Sequence, residues 1–248
     1  HIKNQKVLVN KQLASPSHLL KGGDEITYFL PETAQSSDIN LPIVYEDANV
    51  IVINKPPGLL SHSKGNSNEE SSVASMLAKK IEQDGSNRAG IVHRLDRDTS
   101  GVMIIARNEA TRKYLQKQFQ NRTVQKTYIA VVENTLTDKE ATLDWPIERN
   151  AKKPSTWRVG AKGKSAQTDF KVLKTGGKRS LVELKPKTGR THQLRVHLSH
   201  YGNPIVGDKV YGSGSAPRML LHAHKLEIAT EHNKHRTFTA PLPDDFTV

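Results

Sequence analysis

The sequence predicts an α+β fold, and three observations point there. Segments rich in β-branched and aromatic residues follow one another through short polar turns, as hairpin-connected strands do. Helical periodicity interrupts them irregularly, without the strict strand-helix alternation that a doubly wound sheet requires. The chain also carries no internal repeat and no extended low-complexity segment.

The elements follow in order. KVLVN and DEITYFL read as two short strands separated by LLKGGD, where Gly22 and Gly23 permit a turn. PETAQSSDINLP, residues 31 to 42, is polar and carries two Pro, the composition of a linker. IVYEDANVIVINK is a hairpin with strands at Ile43 to Tyr45 and Val50 to Asn54, joined through Glu46, Asp47 and Asn49 and ended by Pro56, Pro57 and Gly58. Ser71 is the expected N-cap of a helix that places Val73, Met76, Leu77 and Ile81 on one face and ends at Gly85. HRLDRDTSG, residues 93 to 101, falls between the apolar step Ile91 and Val92 and the strand VMIIAR, residues 102 to 107, which makes it a loop pinned by a strand.

EATRKYLQKQF is a helix and KTYIAVVEN, residues 126 to 134, a strand; QTDFKVL and SLVELKP add two more. TGRTHQLRVHLSHYGNP opens a helix with Thr191 as N-cap, Leu194, Leu198 and Tyr201 at helical spacing, Gly202 as C-cap and Pro204 beyond. Strands near MLLHAHKLEI and RTFTAPL finish the chain.

With 248 residues the chain can bury a real core, most simply one large domain with at most a small appendage. No apolar run approaches the roughly 18 residues of a membrane span. With no Cys, a disulfide framework and thiolate metal sites are excluded, and a soluble, cytoplasmic protein is the expectation. The chain opens on His1 rather than Met, so a natural beginning, with any targeting segment, is expected to precede it. Lys and Arg number 37 against 25 Asp and Glu, a net charge of +12 that suits a protein working on a polyanion, nucleic acid before membrane surface. The basic residues cluster: Arg112, Lys113, Lys117, Arg122 and Lys126 in one segment, Lys152, Lys153, Arg158, Lys162 and Lys164 in another. Either alone reads equally well as a solvated face.

Several chemistries fail on closer reading. GKS at 163 to 165 lacks the earlier Gly of a phosphate-binding loop, since Arg158 stands there. His222 and His224 would share one face of a strand, and His192 and His197 one helix, but no supporting ligand pattern accompanies them, so no metal site is expected. LDRDTSG approaches the nucleophile signature of aspartyl-phosphate phosphatases, yet there the strong strand precedes the motif and here it follows. Asp96 itself, flanked by Arg94 and Arg97, reads most simply as half of an exposed ion pair, and Asp98 with Thr99 and Ser100 as turn chemistry.

The rest of the chain changes that balance. HRLDRDTSGVMIIARN, KTYIAVVE, GRTHQLRVHL and NKPPG together resemble the motifs of the RluA-type pseudouridine synthases, which modify uridines in large-subunit ribosomal and related RNA. The resemblance covers roughly residues 43 to 248. Residues 6 to 30 resemble, more weakly, the last part of the alpha-L RNA-binding module of many relatives. The implied organisation is a partial alpha-L module with the start of a linker at 1–34 and a catalytic domain at 43–248, built on a mixed, largely antiparallel sheet flanked by helices and loops.

The resemblance also implies a mechanism. The bond from ribose to nitrogen 1 of uracil breaks, the base turns and rejoins through carbon 5, and nothing is added or lost, so no cofactor is required. Asp96 matches the catalytic aspartate, acting as nucleophile toward the ribose or as base for its 2′ proton. Arg190 matches the arginine that pairs with this carboxylate, and Tyr128 the tyrosine that lies against the flipped uracil. Leu194 would wall the base pocket, and Arg94 would fill the space left in the RNA stack. His93, Arg97, Lys55 and Arg195 are further candidates for RNA backbone contact or support. Ribosomal RNA is the expected partner, with transfer RNA, or a basic RNA-binding protein without activity, as alternatives; a monomer without metal is expected.

Overall fold

The computed structural model describes residues 7–15, 17–28, 41–63, 70–82, 88, 90–231 and 234–248. The expected linker lies almost wholly outside the described residues, and Gly85 lies outside them too.

Near the start, β1 (Val7–Val9), β2 (Gln12–Leu13) and β3 (Ile26–Tyr28) form a small antiparallel sheet in the order β2-β1-β3. The main sheet begins with the anticipated hairpin of β4 (Ile43–Glu46) and β5 (Val50–Lys55). Asp47 makes its turn by accepting from the backbone N–H groups of Asn49 and Val50, both at 2.8 Å. Beside them run β6 (Ser100–Ala106), β7 (Gln125–Glu133), β8 (Glu140–Asp144), β11 (Gln167–Gly176), β12 (Arg179–Pro186), β13 (Leu221–Glu231) and β14 (Lys234–Thr239). The order is β4-β5-β6-β13-β7-β12-β11-β8, with β14 on β13, and the β6–β13 pair is parallel where the other pairs are antiparallel. This is the mixed, largely antiparallel α+β sheet the sequence predicts. A separate hairpin of β9 (Ile147–Arg149) and β10 (Trp157–Val159) was not legible in the sequence, nor were β2 and β8.

Burial explains the strand sequences. Every residue of β6 is buried, so its run SGVMIIA is covered on both faces, whereas β12 alternates, turning Ser180, Val182 and Leu184 inward. One core cluster joins β5, β6 and β13; a second joins β7, β11 and β12 with the helix α3 (Gln193–His200). Gly101 sits where β6 meets β13, at φ +113, and a Cβ there would run into the Ala223 backbone. Gly101→Ala is expected to cost roughly 2–5 kcal/mol by combining left-handed strain with a backbone clash, read as a lower midpoint in urea unfolding.

The helices depart from expectation at their starts. The first is shorter than its apolar spacing predicts: α1 (Val73–Met76) makes one turn, followed by a 3₁₀ turn at Ala78–Lys80. Its N-cap is Ser72 rather than Ser71, in a reciprocal box with Ser75. Ile81 is already extended and the Glu82 N–H bonds the Arg107 carbonyl, so pairing beyond the end of β6 stops the helix. The helix α2 (Glu109–Gln120) is capped by Asn108 and buries Leu115 against the sheet. In α3 the N-cap is His192, not Thr191, in the left-handed region at φ 56 and without a side-chain cap bond. The Gln193 side chain instead ties down the loop before the helix, accepting from the Arg190 N–H at 2.9 Å and from Thr188 Oγ1 at 2.7 Å. The C-cap is Tyr201 rather than Gly202, and Gly202, at φ +94, follows it in the left-handed position that ends α3.

Candidate active site

Loop 93–99 is held from beneath by the segment after β5. Lys55 is fully buried, and its ammonium donates to the carbonyls of Pro56, Leu59 and Arg97 at 2.8 to 2.9 Å. Three carbonyls satisfy the three protons of a lysine. Burial pushes the Lys55 pKa down to about 7, against the opposing pull of Asp98 and Asp96. Ser61 adds a pair of bonds to the Leu95 backbone, at 2.8 and 3.1 Å. The expectation of an RNA contact at Lys55 is therefore corrected to support, because a side chain without solvent exposure has no route to a polyanion.

His93 also acts as a pin. Its ring stacks on Phe119 with centroids 4.6 Å apart, and Nε2 accepts the Ile104 N–H at 3.1 Å. Burial drives its pKa down to about 3, which keeps that nitrogen an acceptor. Arg97 is exposed and paired to Glu70 in a two-bond contact. So the arginine beside Asp96 in sequence is not its partner in space.

These supports shape a cleft of about 480 Å³ that brings together Asp96, Tyr128, Leu194, Arg195, Arg190 and Arg94, with His93 on its wall; Lys55 and Arg97 do not line it. Asp96 is only 20% exposed, and its Oδ2 lies 3.4 Å from Arg195 Nη1 and 3.9 Å from His192 Nε2. Arg195 is buried in α3, where Nε and Nη2 grip both oxygens of Asp208 at 2.7 and 2.8 Å. Its third arm is the one that meets Asp96. Burial works against the charge on Arg195, but the bonds and charge of Asp208, with the charge of Asp96, raise its pKa above the ordinary value. Burial likewise opposes ionisation of Asp208, and Arg195 with the N–H groups of Val210 and Tyr211 more than offsets it, so its pKa is lowered.

The arginine assignment is thus corrected. Arg190 lines the cleft, but its Nε donates to the Ser165 carbonyl at 3.0 Å, and the ion pair with Asp96 is made by Arg195. Arg190 precedes α3 on the loop and is turned toward the β10–β11 connection, whereas Arg195 projects from the helix toward the Asp96 loop.

Tyr128 stands on β7 with its ring at the cleft, half-buried, and Leu194 forms part of the same wall. Burial, reinforced by the charge of Asp96, raises the Tyr128 phenol above its ordinary pKa. At neutral pH it is a neutral hydrogen-bond donor. Arg94 is exposed at the cleft, and Arg122 and Lys126 of the first basic segment line it as well.

The histidines singled out for metal all bond to protein groups: His192 to Tyr211, His197 to Thr168 and Trp145, His222 to Ser100, and His224 to Ala240. Among the described residues no cluster of three or more His, Asp or Glu is placed to hold an ion. Sequence reasoning missed Asp208 and Tyr211. The available signal was Arg195 itself, set between Leu194 and Val196 in a helix that buries both, since a buried guanidinium demands a carboxylate.

An α+β sheet carrying a buried Arg–carboxylate pair in a basic cleft fits an enzyme of RNA modification. The family model described as RNA pseudouridylate synthase matches residues 49–200, and the chain belongs to that family, in its RluA type. It is 38% identical over 254 residues to the ribosomal large subunit pseudouridine synthase D of Borreliella burgdorferi, across 98% of this chain and 77% of that protein. It is 42% identical over 214 residues to an uncharacterized RNA pseudouridine synthase of Zymomonas mobilis, across 83% of this chain and 95% of that protein. The solved structure of Human RNA Pseudouridylate Synthase Domain Containing 1 superposes with a TM-score of 0.68 at 32% identity, covering 82% of this chain and 83% of that one. The chain is accordingly an isomerase acting on RNA. No helix among the described residues is long and apolar enough to cross a membrane.

Proposed function

We propose that this enzyme converts uridine to pseudouridine in large-subunit ribosomal RNA, with Asp96 as the catalytic carboxylate. The observation that carries the reading is the placement of Asp96, in the cleft, with Arg195 and His192 both on the Oδ2 side of its carboxylate. Oδ1 is left for chemistry, either attack on the ribose or removal of its 2′ proton. The bond from C1′ to nitrogen 1 breaks and a bond from C1′ to carbon 5 forms. Carbon 5 loses a proton and nitrogen 1 gains one, so the atoms balance without a cofactor. Arg195 pairs with the carboxylate and orients it, the Tyr128 ring stacks on the extruded uracil, Leu194 walls the base, and Arg94 fills the vacated stack. Support for a ribosomal target comes from relatives named ribosomal large subunit pseudouridine synthase D, at 34 to 38% identity.

Pseudouridines mapped across total RNA from a deletion strain and its parent test the target. Loss of sites in large-subunit ribosomal RNA is expected; loss confined to transfer RNA would replace that target with the second. The small N-terminal sheet fits an RNA-binding appendage within 1–34, and a chain begun near Leu41 is then expected to isomerise a short stem-loop while losing affinity for long RNA. Retained affinity with lowered stability would make the sheet a packing element only.

Tyr128 separates into ring and hydroxyl. Tyr128→Phe is expected to keep uracil bound and permit glycosidic cleavage yet slow release of the carbon 5 proton, read with tritium at that position, whereas Tyr128→Ala loses both. Equal behaviour of the two variants would reduce the role to stacking.

A further inference from the structure

We propose that His192 and Tyr211 are a positioning pair that transmits the placement of the basic β9–β10 hairpin to the Asp96 carboxylate. The inference rests on Asp96 as the reacting group.

The chain of contacts is short. The backbone N–H of Trp157, on β10, donates to Tyr211 Oη at 2.9 Å, and Tyr211 Oη lies 2.8 Å from His192 Nδ1. Among the described residues Nδ1 is the acceptor within reach of the phenol proton, and in the proposed tautomer Tyr211 donates to it. The histidine proton is then on Nε2, the nitrogen that faces Asp96 Oδ2 at 3.9 Å. That gap is just beyond a hydrogen bond, the kind of contact that tightens when substrate binds.

Both members are fixed in place. Tyr211 is held by its N–H to Asp208 at 3.1 Å, by Ser199 Oγ on its carbonyl at 2.8 Å, and by the Arg195 guanidinium 5.0 Å above its ring. Asp208 therefore anchors Arg195 directly and His192 through Tyr211. His192 occupies the left-handed region at φ 56 and provides α3 with no side-chain cap, so its ring is committed to Tyr211 at the expense of local preference. At the far end the hairpin carries exposed Lys152 and Lys153 in its connecting loop, a few residues before Trp157, which pairs with Arg149. RNA backbone drawn to those lysines shifts β10, and the Trp157 N–H carries the shift through Tyr211 to His192, closing the gap to Asp96.

The test uses the full chain with RNA purified from a strain lacking the enzyme, under excess enzyme, so that single-turnover rate and half-saturation are read separately. Tyr211→Phe and His192→Asn, which keeps an acceptor for Tyr211 but falls short of Asp96, are each expected to slow the saturated rate about 10 to 100-fold. Half-saturation should stay within about threefold, and the double variant should be no slower than the worse single one, as for members of one chain. His192→Gln, whose amide N–H reaches the Nε2 position, should recover most of the rate. Nitrogen-15 spectra should show Nε2–H in the wild type and mixed tautomers in Tyr211→Phe. Lys152→Ala with Lys153→Ala should lower the saturated rate in the wild type and add nothing to Tyr211→Phe. Wild-type rates in both pair variants, multiplicative losses, or changes confined to half-saturation would overturn the proposal. An active Asp96→Asn would instead overturn the reading beneath it, so the two failures are distinguishable.

Discussion

Asp96→Asn is expected to abolish pseudouridine formation while leaving the fold and RNA affinity near those of the wild type. Asn keeps the shape and can still accept from Arg195, but it neither attacks a ribose carbon nor removes a proton, so the loss should be about 10⁴-fold or greater. Folding should survive because the deeply buried carboxylate of the cluster is Asp208, with no exposed side-chain surface, whereas Asp96 keeps a fifth of its own exposed. Release of pseudouridine from labelled RNA, alongside filter binding, reads both quantities. A residual rate within about tenfold of the wild type, a barrier change of only about 1.4 kcal/mol, would remove Asp96 from the chemistry. Loss of binding together with turnover would make it an RNA contact.

Arg195→Met carries the second large effect, on stability and rate together. The guanidinium lies between two carboxylates, and its removal leaves Asp208 buried and unpaired, a cost of about 3–5 kcal/mol. The same change strips Asp96 of its cation, so turnover should fall by several orders of magnitude even at temperatures where the variant is folded. Arg195→Lys keeps the charge but not the fork, and should recover stability in part. Arg190→Met is the control, expected to cost less in both, since Arg190 is tied to the Ser165 carbonyl. Should Arg190→Met prove the more damaging for turnover, the assignment of Arg195 as the partner of Asp96 would fail. Acid adds a further check. Asp208 has a folded pKa below the usual carboxylate range, so its share of stability is present above that range and is lost as pH falls from it down through the folded pKa. In Asp208→Asn that part of the acid sensitivity should disappear.

Residues 93–101 and the strand that follows them were legible because their signals are local. The all-buried β6 and the alternating β12 declare their environments by composition and period, and a charged loop ending at Gly101 announces a turn into the sheet. The weaker local signals failed at boundaries. A single turn of helix satisfied the apolar spacing after Ser72, and β8, β9 and β10 are short or polar enough that only their pairing partners make them strands. The fold class, the order of the main elements, the polyanionic partner and the loop bearing Asp96 were thus determined by sequence alone, because each rests on neighbours within a few residues or on total charge.

The tertiary structure decided which charges meet. Arg94 and Arg97 adjoin Asp96 in sequence, yet its partner is Arg195, 99 residues away, and Arg97 turns outward to Glu70. Whether Arg190 or Arg195 reaches the loop depends on the rotation of α3, which is set by a left-handed His192 and by Gln193 tying down the preceding loop. The fate of Lys55 likewise depended on three carbonyls brought from two segments to enclose it. The physical reason is common to all of these. Desolvation and partner choice are properties of the volume around a side chain, and that volume is filled by residues distant in the chain, so no local pattern specifies it.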